Sequence, residues 1–121
     1  MKLNTIHTDS RGSISLLTEE MKYPEVTVFH TNEGFARGGC IHELSDEYTC
    51  VIEGEVEYRI GDKTLRMKDG ESAVIPRNTP HYYASITDSI VLEWGATPAE
   101  KQKKHAEFRA IVDAINAGKQ N

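Results

Sequence analysis

Four side chains of types that bind transition metals stand at spacings that can bring them together. Cys40 and His42 are two residues apart, so on a β-strand they lie on the same face. Glu47 follows after a short turn and opens a partner strand, and His81 opens another strand further along the chain. A thiolate, two imidazoles and a carboxylate suit zinc, and the histidines and carboxylate also suit iron, manganese or nickel. We therefore predict a divalent transition metal held by these four residues.

The same residues also have interpretations without a metal. His42, Glu47 and His81 could form a hydrogen-bonded polar cluster, although a buried glutamate needs a cation or a proton as its partner. Cys40 could be a small core residue, because free cysteine is often buried for packing alone. If Glu47 points into the pocket, strand alternation turns Cys50 away from it, which argues against a disulfide between the two cysteines. These alternatives stay open at the level of sequence.

Two further side chains could contact a substrate in the same pocket. Arg37 could hold a carboxylate or phosphate by a bidentate contact, or it could be an exposed charge in a loop. Tyr83 shares strand parity with His81 and could offer its hydroxyl for orientation or proton transfer. Tyr58 has inward parity too, and core packing is its favoured role. Arg37 and Tyr83 are therefore predicted to belong to the catalytic group.

A β-rich fold must position these candidates, because residues 1–96 consist of short strand-like segments broken by turn residues. The segment 55–60 alternates strictly between polar and apolar residues, and Gly61 and Asp62 after it are typical of a tight hairpin. Several short strands at regular spacing predict a sandwich or barrel. The predicted strands span 26–30, 40–43, 47–53, 55–60, 64–67, 72–75, 81–86 and 89–94.

The pattern changes to that of a helix near residue 97. Residues 97–100 have the form of a capping box, with proline at the first helical position. Four apolar residues then recur at helical spacing, namely Phe108, Ile111, Val112 and Ile115. We predict a C-terminal helix over 97–118, packed on a barrel of residues 1–96 or on a second subunit, within a single domain. The lysine cluster at 101–104 is expected to face solvent.

Bulk composition limits the classes of function. The chain has 121 residues, of which 38% are hydrophobic and 27% charged, and this fits one soluble globular domain. Its net charge of −5 argues against nucleic acid as a partner and leaves a small-molecule ligand open. No apolar stretch is long enough for a membrane span or typical of a secretory signal, so we expect a cytoplasmic protein without a membrane partner.

The spacing of the candidate ligands resembles the two motifs of the cupin superfamily. The first motif is usually G-x5-H-x-H-x4-E-x6-G, and the matching residues here are Gly34, Cys40, His42, Glu47 and Gly54. The second is usually G-x5-P-x-G-x2-H-x3-N, and the matching residues here are Gly70, Pro76, Asn78, His81 and Ser85. Cysteine replaces the first histidine, and asparagine replaces a glycine, which is tolerable because Asn also adopts left-handed conformations. The resemblance implies an all-β fold, the double-stranded β-helix or jelly-roll barrel, and a homodimer; the helical pattern adds one C-terminal α-helix.

A shorter resemblance links the chain to sugar chemistry. Residues 9–12 (DSRG) are similar to the opening of nucleotide-sugar epimerases and ketoisomerases of the cupin superfamily, and residues 37–42 resemble their R-G-x-H-x-H segment. In those relatives the histidine pair carries out acid–base chemistry on a 4-keto sugar without a metal, which would make His42 a base. The relatives usually lack the glutamate and the second-motif histidine, whereas this chain keeps Glu47 and His81.

Three hypotheses of function follow from these patterns. The favoured one is a metal-dependent enzyme acting on a small polar metabolite, by isomerisation or epimerisation of a sugar or sugar derivative in preference to dioxygen chemistry with iron. The second is a non-catalytic cupin that binds a small ligand as a sensor. The third is a metal-free enzyme similar to the nucleotide-sugar ketoisomerases. The predicted catalytic residues are His42, Tyr83 and Arg37, and the predicted metal ligands are Cys40, His42, Glu47 and His81.

Overall fold

The computed structural model describes residues 4–16, 26–97 and 99–119 of the chain. Within these ranges the chain forms ten β-strands, a 3-10 helix at Glu100–Gln102 and one α-helix, α1, at Ala106–Asn116. The strands are β1 (Asn4–Asp9), β2 (Gly12–Leu16), β3 (Thr27–Thr31), β4 (Ala36–Cys40), β5 (Glu47–Glu53), β6 (Glu55–Ile60), β7 (Lys63–Lys68), β8 (Ser72–Ile75), β9 (His81–Ser85) and β10 (Ser89–Trp94). Neither described helix is long and apolar enough to cross a membrane.

Two antiparallel sheets enclose the core. One has six strands in the order β1-β2-β3-β10-β5-β8, and the other has four in the order β4-β9-β6-β7. Strands that are distant in sequence are neighbours in space, as when β10 pairs with both β3 and β5. Apolar side chains from both sheets are buried between them, chiefly Val51, Val56, Ile60, Ile75 and Val91. This arrangement confirms the predicted jelly-roll barrel with a C-terminal helix.

Strand alternation decides which side chains enter the barrel. On β5 the side chains of Glu47, Thr49 and Val51 are buried inside, whereas Tyr48 points outward and is exposed. Cys50 shares the outward parity of Tyr48, and both cysteines of the chain are free thiols. A polar group at an inward position of this strand therefore lies inside the barrel, where its partners must come from other strands.

The strand after Gly34 differs from the prediction. β4 runs over Ala36–Cys40 instead of 40–43, because the two glycines lie inside the strand and not before it. Gly38 and Gly39 have positive φ angles of 112° and 83°, and the pairing with β9 is shifted there by an irregularity. A Cβ atom on Gly39 would lie 2.7 Å from the Cα atom of Arg109. Glycine is required here because helix α1 packs directly against the strand.

The predicted helix over 97–118 is wrong in its extent. The backbone N–H of Thr97 donates to the Glu100 carboxylate at 2.9 Å, and the N–H of Glu100 donates to the Thr97 hydroxyl at 3.3 Å, as a capping box requires. This box precedes only the 3-10 turn, and its proline lies outside the described residues. The chain then extends, and the backbone N–H of His105 donates to the Gly39 carbonyl at 2.8 Å. Helix α1 begins only after this contact, because hydrogen bonds to the barrel replace those of a continuous helix.

Helix α1 packs on its own barrel, which is one of the two surfaces predicted for it. Phe108 and Val112 are buried, and the Phe108 ring packs edge-on against Tyr82 of β9 at 5.4 Å between centroids. At the other end of the helix, the Asn116 amide accepts from the backbone N–H of Ala36 at 2.8 Å and donates to its carbonyl at 3.0 Å. The helix thereby holds β4 at both ends, and β4 leads into the predicted site.

Candidate metal site

A cavity of about 180 Å³ lies between the two sheets. Its walls come from strands of both sheets and from the 3-10 helix. All the residues predicted as ligands or catalytic groups line this one cavity: Arg37, Cys40, His42, Glu47, His81 and Tyr83. The barrel therefore brings together positions that are up to 46 residues apart in the chain.

Three of the predicted ligands converge on one point. Glu47 opens β5 and His81 opens β9, whereas His42 lies just after β4 and outside any strand. Nδ1 of His42 lies 3.7 Å from Oε1 of Glu47, and Nε2 of His81 lies 3.6 Å from the same oxygen. The three residues are only 2%, 0% and 4% exposed. One ligand atom from each lies within 4.8 Å of the others.

The geometry of this cluster fits a bound cation. Separations of 3.6 and 3.7 Å are too long for hydrogen bonds. Ligand atoms that each lie about 2.0–2.2 Å from a tetrahedral ion are about 3.3–3.6 Å from one another. The measured separations are close to that distance. Among the described residues, Nδ1 of His42 and Oε1 of Glu47 are buried without a hydrogen-bond partner, whereas Oε2 of Glu47 contacts the Lys101 ammonium at 3.0 Å. Since unpartnered buried polar atoms are costly, the donor set of two imidazoles and a carboxylate fits a divalent transition metal.

Backbone contacts orient the two histidines. Nδ1 of His81 lies 3.2 Å from the carbonyl oxygen of Thr79, which can only accept, so this nitrogen carries the proton. A neutral His81 ring then presents its Nε2 lone pair to the cluster, as metal-binding histidines do. The carbonyl of His42 accepts from the N–H of Asn78 at 2.6 Å, and Asn78 has the left-handed φ of 61° that the sequence pattern allows.

Burial and charge together set the protonation of the cluster. Burial raises the pKa of Glu47, but His81, Lys101 and His42 more than offset it, and the pKa lies below its ordinary value. Burial lowers the pKa of His42, so this ring is neutral. Burial also lowers the pKa of His81, but the Glu47 carboxylate outweighs it and the pKa is raised. The cluster therefore contains an ionised carboxylate between a neutral and a more basic imidazole.

Lys101 is an unexpected neighbour of the cluster. Its ammonium lies 3.0 Å from Oε2 of Glu47, and this leaves Oε1 facing the histidines. The expectation that this lysine faces solvent is wrong, because a 3-10 turn over the cavity replaces the predicted continuous helix. Lys104 also lines the cavity. Lys103 and Lys104 follow the expectation, since both are exposed, and Lys103 pairs with Glu43.

Cys40 lies at the end of β4, opposite His81 in the sheet pairing, and lines the cavity. Across residues 4–16, 26–97 and 99–119, the group of ligand atoms within 4.8 Å of one another comprises His42, Glu47 and His81 and does not include the sulfur. Burial raises the pKa of the Cys40 thiol, which favours the protonated form over the thiolate. Ligation by Cys40 stays a prediction.

A second buried carboxylate, Glu93, lines the cavity and was not among the predicted site residues. The Tyr58 hydroxyl donates to it and also lies 2.9 Å from the hydroxyl of Thr49. Burial raises the pKa of Glu93 to about 7, and the negative charge of Glu47 adds to this effect. Strand alternation could have identified this residue, because Glu93 is two positions from the inward-facing Val91 on β10.

Arg37 is buried in β4, at 4% exposure, so its interpretation as an exposed loop charge is wrong. Its Nε donates to the hydroxyl of Thr31 at 2.9 Å, and its Nη2 donates to the carbonyl of His30 at 3.1 Å. The Thr31 hydroxyl also lies 2.8 Å from that of Tyr83. Burial raises the pKa of Tyr83, so its hydroxyl stays neutral and engaged in this hydrogen bond.

A known family pattern covers the strands that carry this site. The family profile described as Cupin domain matches residues 28–97, which is more than half of the chain and includes His42, Glu47 and His81. The chain belongs to the cupin family. No curated protein sequence matches this cupin.

Three solved structures have the same fold at low sequence identity. The capsular polysaccharide assembling protein CapF from Staphylococcus aureus matches with a TM-score of 0.70 and 19% identity, over 86% of this chain and 32% of its own. KdgF from Halomonas sp. matches with a TM-score of 0.68 and 17% identity, over 77% of this chain and 86% of its own. Oxalate decarboxylase from Lactobacillus farciminis, in a formate complex, matches with a TM-score of 0.69 and 20% identity, over 82% of this chain and 32% of its own. The cupin thus spans about a third of CapF and of the decarboxylase, and these likenesses show the fold alone.

Proposed function

We propose that this cupin is a metal-dependent enzyme acting on a small polar metabolite, with isomerisation or epimerisation of a sugar or sugar derivative as the favoured reaction. The observation that carries the proposal is the buried cluster of His42, Glu47 and His81. Three protein ligands leave positions for water and substrate oxygens, as in catalytic rather than structural metal sites. A divalent ion such as zinc, iron, manganese or nickel would supply Lewis acidity to a substrate carbonyl or hydroxyl there.

Isomerisation next to a carbonyl moves a proton, so the site needs a group that accepts and returns one. Glu93 suits this role because it lines the cavity and its pKa of about 7 lies near neutral pH. Tyr58 donates to Glu93 and holds the carboxylate in position. Arg37 and Tyr83, which share the hydroxyl of Thr31, would orient the substrate.

A metal-free enzyme acting on a nucleotide sugar is the second candidate, and one contact favours it. The Lys101 ammonium lies 3.0 Å from Glu47, so a positive charge already faces this carboxylate. Burial lowers the pKa of His42, and a neutral His42 could act as the base that the resemblance to ketoisomerases implies. The similarity to CapF, a capsular polysaccharide assembling protein, supports carbohydrate chemistry for either candidate.

We also propose that the cupin is a cytoplasmic homodimer that pairs through the outer face of the six-stranded sheet. The outward positions of β5, β8 and β10 carry no charged residue, and Tyr48 stacks on Trp94 there at 5.8 Å between centroids. Ile52 and Val74 on the same face are 48% and 50% exposed. A second copy would cover this uncharged apolar face with its own through two-fold symmetry. The free thiols agree with a reducing compartment.

Elemental analysis of the purified cupin tests the metal proposal. After incubation with zinc, iron, manganese or nickel and removal of excess ion, we expect about one ion per chain in the wild type. His81→Ala should lose the ion, and Cys40→Ser decides whether the sulfur is a fourth ligand. His7→Ala is the matched control, because His7 is exposed on β1. A wild type without metal after all four incubations would overturn the proposal in favour of the metal-free candidate.

Reaction in deuterium oxide tests the proposed chemistry separately. A proton removed and returned next to a carbonyl exchanges with solvent, so the metal-loaded cupin should place deuterium on aldose or ketose substrates, as read by NMR. Glu93→Gln should lose this exchange while keeping the metal. A metal-loaded cupin that exchanges no proton across a panel of sugars would instead favour a ligand-binding sensor.

A further inference from the structure

We propose that the cavity binds a small organic acid, with its carboxylate on the guanidinium of Arg37 and its hydroxyl or carbonyl oxygens toward the cluster of His42, Glu47 and His81. The part of this proposal in which ligand oxygens face a metal ion rests on the proposed function. The inference adds the class of ligand, a hydroxy acid or acidic sugar derivative in place of a neutral sugar. It starts from a buried cationic side chain in the cavity wall that has one nitrogen without a partner.

The guanidinium of Arg37 is anchored on one side only. Nε and Nη2 donate to oxygen atoms of Thr31 and His30 at 2.9 and 3.1 Å, and the Phe29 ring lies 5.7 Å from the guanidinium carbon. Nη1 is buried and has no hydrogen-bond partner in the part of the chain that the structure describes. These contacts fix the side chain before a ligand arrives, so Nη1 is a preorganised donor whose own partner is missing.

The charge of Arg37 has no counter-ion among residues 4–16, 26–97 and 99–119. In the described part of the chain its hydrogen bonds go to a neutral hydroxyl and a carbonyl, and no carboxylate forms an ion pair with it. Asp9, an acidic residue near this part of the cavity, is engaged by Arg11 at 2.6 Å. Burying a cation without an anion is costly, so an anionic ligand would supply what the fold leaves out.

The whole cavity has an excess of positive charge, although the chain carries a net charge of −5. Its acidic lining residues are Glu47 and Glu93. Its basic lining residues, histidines aside, are Arg11, Arg37, Lys101, Lys104 and Arg109. Arg11 pairs with Asp9, Lys101 with Glu47 and Arg109 with Asp113, so in the described part of the chain the unpaired positive charge lies at Arg37 and Lys104. A positively charged cleft in a negatively charged protein concentrates anions and raises their rate of association. Both the local contact at Arg37 and the wider field therefore select a negatively charged ligand.

The donors available fit a carboxylate better than a phosphate, and the volume limits the size of the acid. A phosphate group has three acceptor oxygens and up to two charges, whereas Arg37 offers a single unpartnered nitrogen. A cavity of about 150 Å³ holds a benzene molecule, and this cavity measures about 180 Å³. By this comparison the enclosed part of the ligand has roughly three to six carbon atoms.

Binding to matched pairs of compounds tests the inference on the metal-loaded protein. The probes are glycerate with glycerol, gluconate with sorbitol, and glycerol 3-phosphate, measured by ligand-observed NMR and calorimetry. Each carboxylate should bind about tenfold or more tightly than its neutral partner, because a charge-assisted contact is lost in the alcohol. Arg37→Met should remove this preference and keep the metal. Arg66→Met is the matched control, because its side chain is 60% exposed on β7.

The outcomes separate this inference from the proposed function. A wild type that contains metal but binds acids no better than alcohols overturns the carboxylate site and leaves the metal proposal intact. A wild type without metal that still prefers acids overturns the metal proposal alone. Tighter binding of glycerol 3-phosphate than of either acid would make the ligand class wrong. If Arg37→Met does not fold, Arg37→Lys keeps the charge and must retain part of the preference for acids.

Discussion

Replacing Glu93 by glutamine should make the stability of this cupin less dependent on pH. Glu93 is 7% exposed on β10, and its carboxylate accepts a hydrogen bond from the Tyr58 hydroxyl. Burial raises its pKa from 4.5 to about 7, with a further contribution from the negative charge of Glu47. Glutamine has nearly the same shape and can still accept from Tyr58, but it cannot ionise.

The sign and size of the effect follow from the two pKa values. In the unfolded chain Glu93 loses its proton near pH 4.5, whereas in the folded protein it keeps the proton until about pH 7. The folded state thus binds more protons in this interval, and the free energy of unfolding falls as pH rises through it. The stabilising contribution is complete below pH 4.5 and lost above about pH 7. A pKa raised by this much changes the free energy of unfolding by about 3 kcal/mol across the whole interval, which corresponds to on the order of 10 °C in Tm.

Urea denaturation of the metal-free protein at pH 5 and pH 8 measures this difference. Between these pH values the free energy of unfolding of the wild type should fall by about 2.5 kcal/mol more than that of Glu93→Gln, because part of the full effect is already lost at pH 5. Glu57→Gln serves as the control, because Glu57 is exposed on β6 and its replacement should leave the wild-type dependence unchanged. Equal losses in the wild type and Glu93→Gln would refute the raised pKa, and with it the proposed proton-transfer role of this carboxylate.

Two further predictions concern the helix contact and the outer sheet face. Gly39→Ala should destabilise the fold by more than about 2 kcal/mol in denaturation experiments, because its φ is 83° and the new Cβ would lie 2.7 Å from the Arg109 backbone. Gly70→Ala, at a φ of 81° with open space around it, isolates the backbone strain and should cost only about 1–2 kcal/mol. Trp94→Lys, at the stack with Tyr48, should yield monomers in analytical ultracentrifugation; an unchanged mass would contradict the proposed dimer face.

The strands and the core were predictable because their signals are local. Alternation on β6 places Val56 and Tyr58 inward, and the same period on β5 places Glu47 inside and Cys50 outside. The motif spacing also identified the three converging ligands, because cupin hairpins close over a set number of residues. Asn78, in the position of a family glycine, takes the left-handed conformation that its side chain tolerates.

The helix was less predictable, because its start depends on contacts that are distant in sequence. The capping box at Thr97 and Glu100 forms, but the chain leaves the helical path to hydrogen-bond with Gly39 on β4. This departure places Lys101 over the cavity, in contact with Glu47. The lysine cluster alone predicts only a solvent-exposed position. A local capping signal is worth about 1 kcal/mol and yields to such tertiary contacts.

By itself, the sequence determined the jelly-roll fold, the candidate ligands and the inward face of each central strand, since periodicity and motif spacing are properties of neighbouring residues. Only the tertiary structure decided the charges of the site. It buries Arg37 with no counter-ion among the described residues, sets Lys101 against Glu47, and encloses Glu93 deeply enough to raise its pKa to about 7. Desolvation and electrostatic interactions depend on which strands meet across the barrel, and that information is not local in the chain.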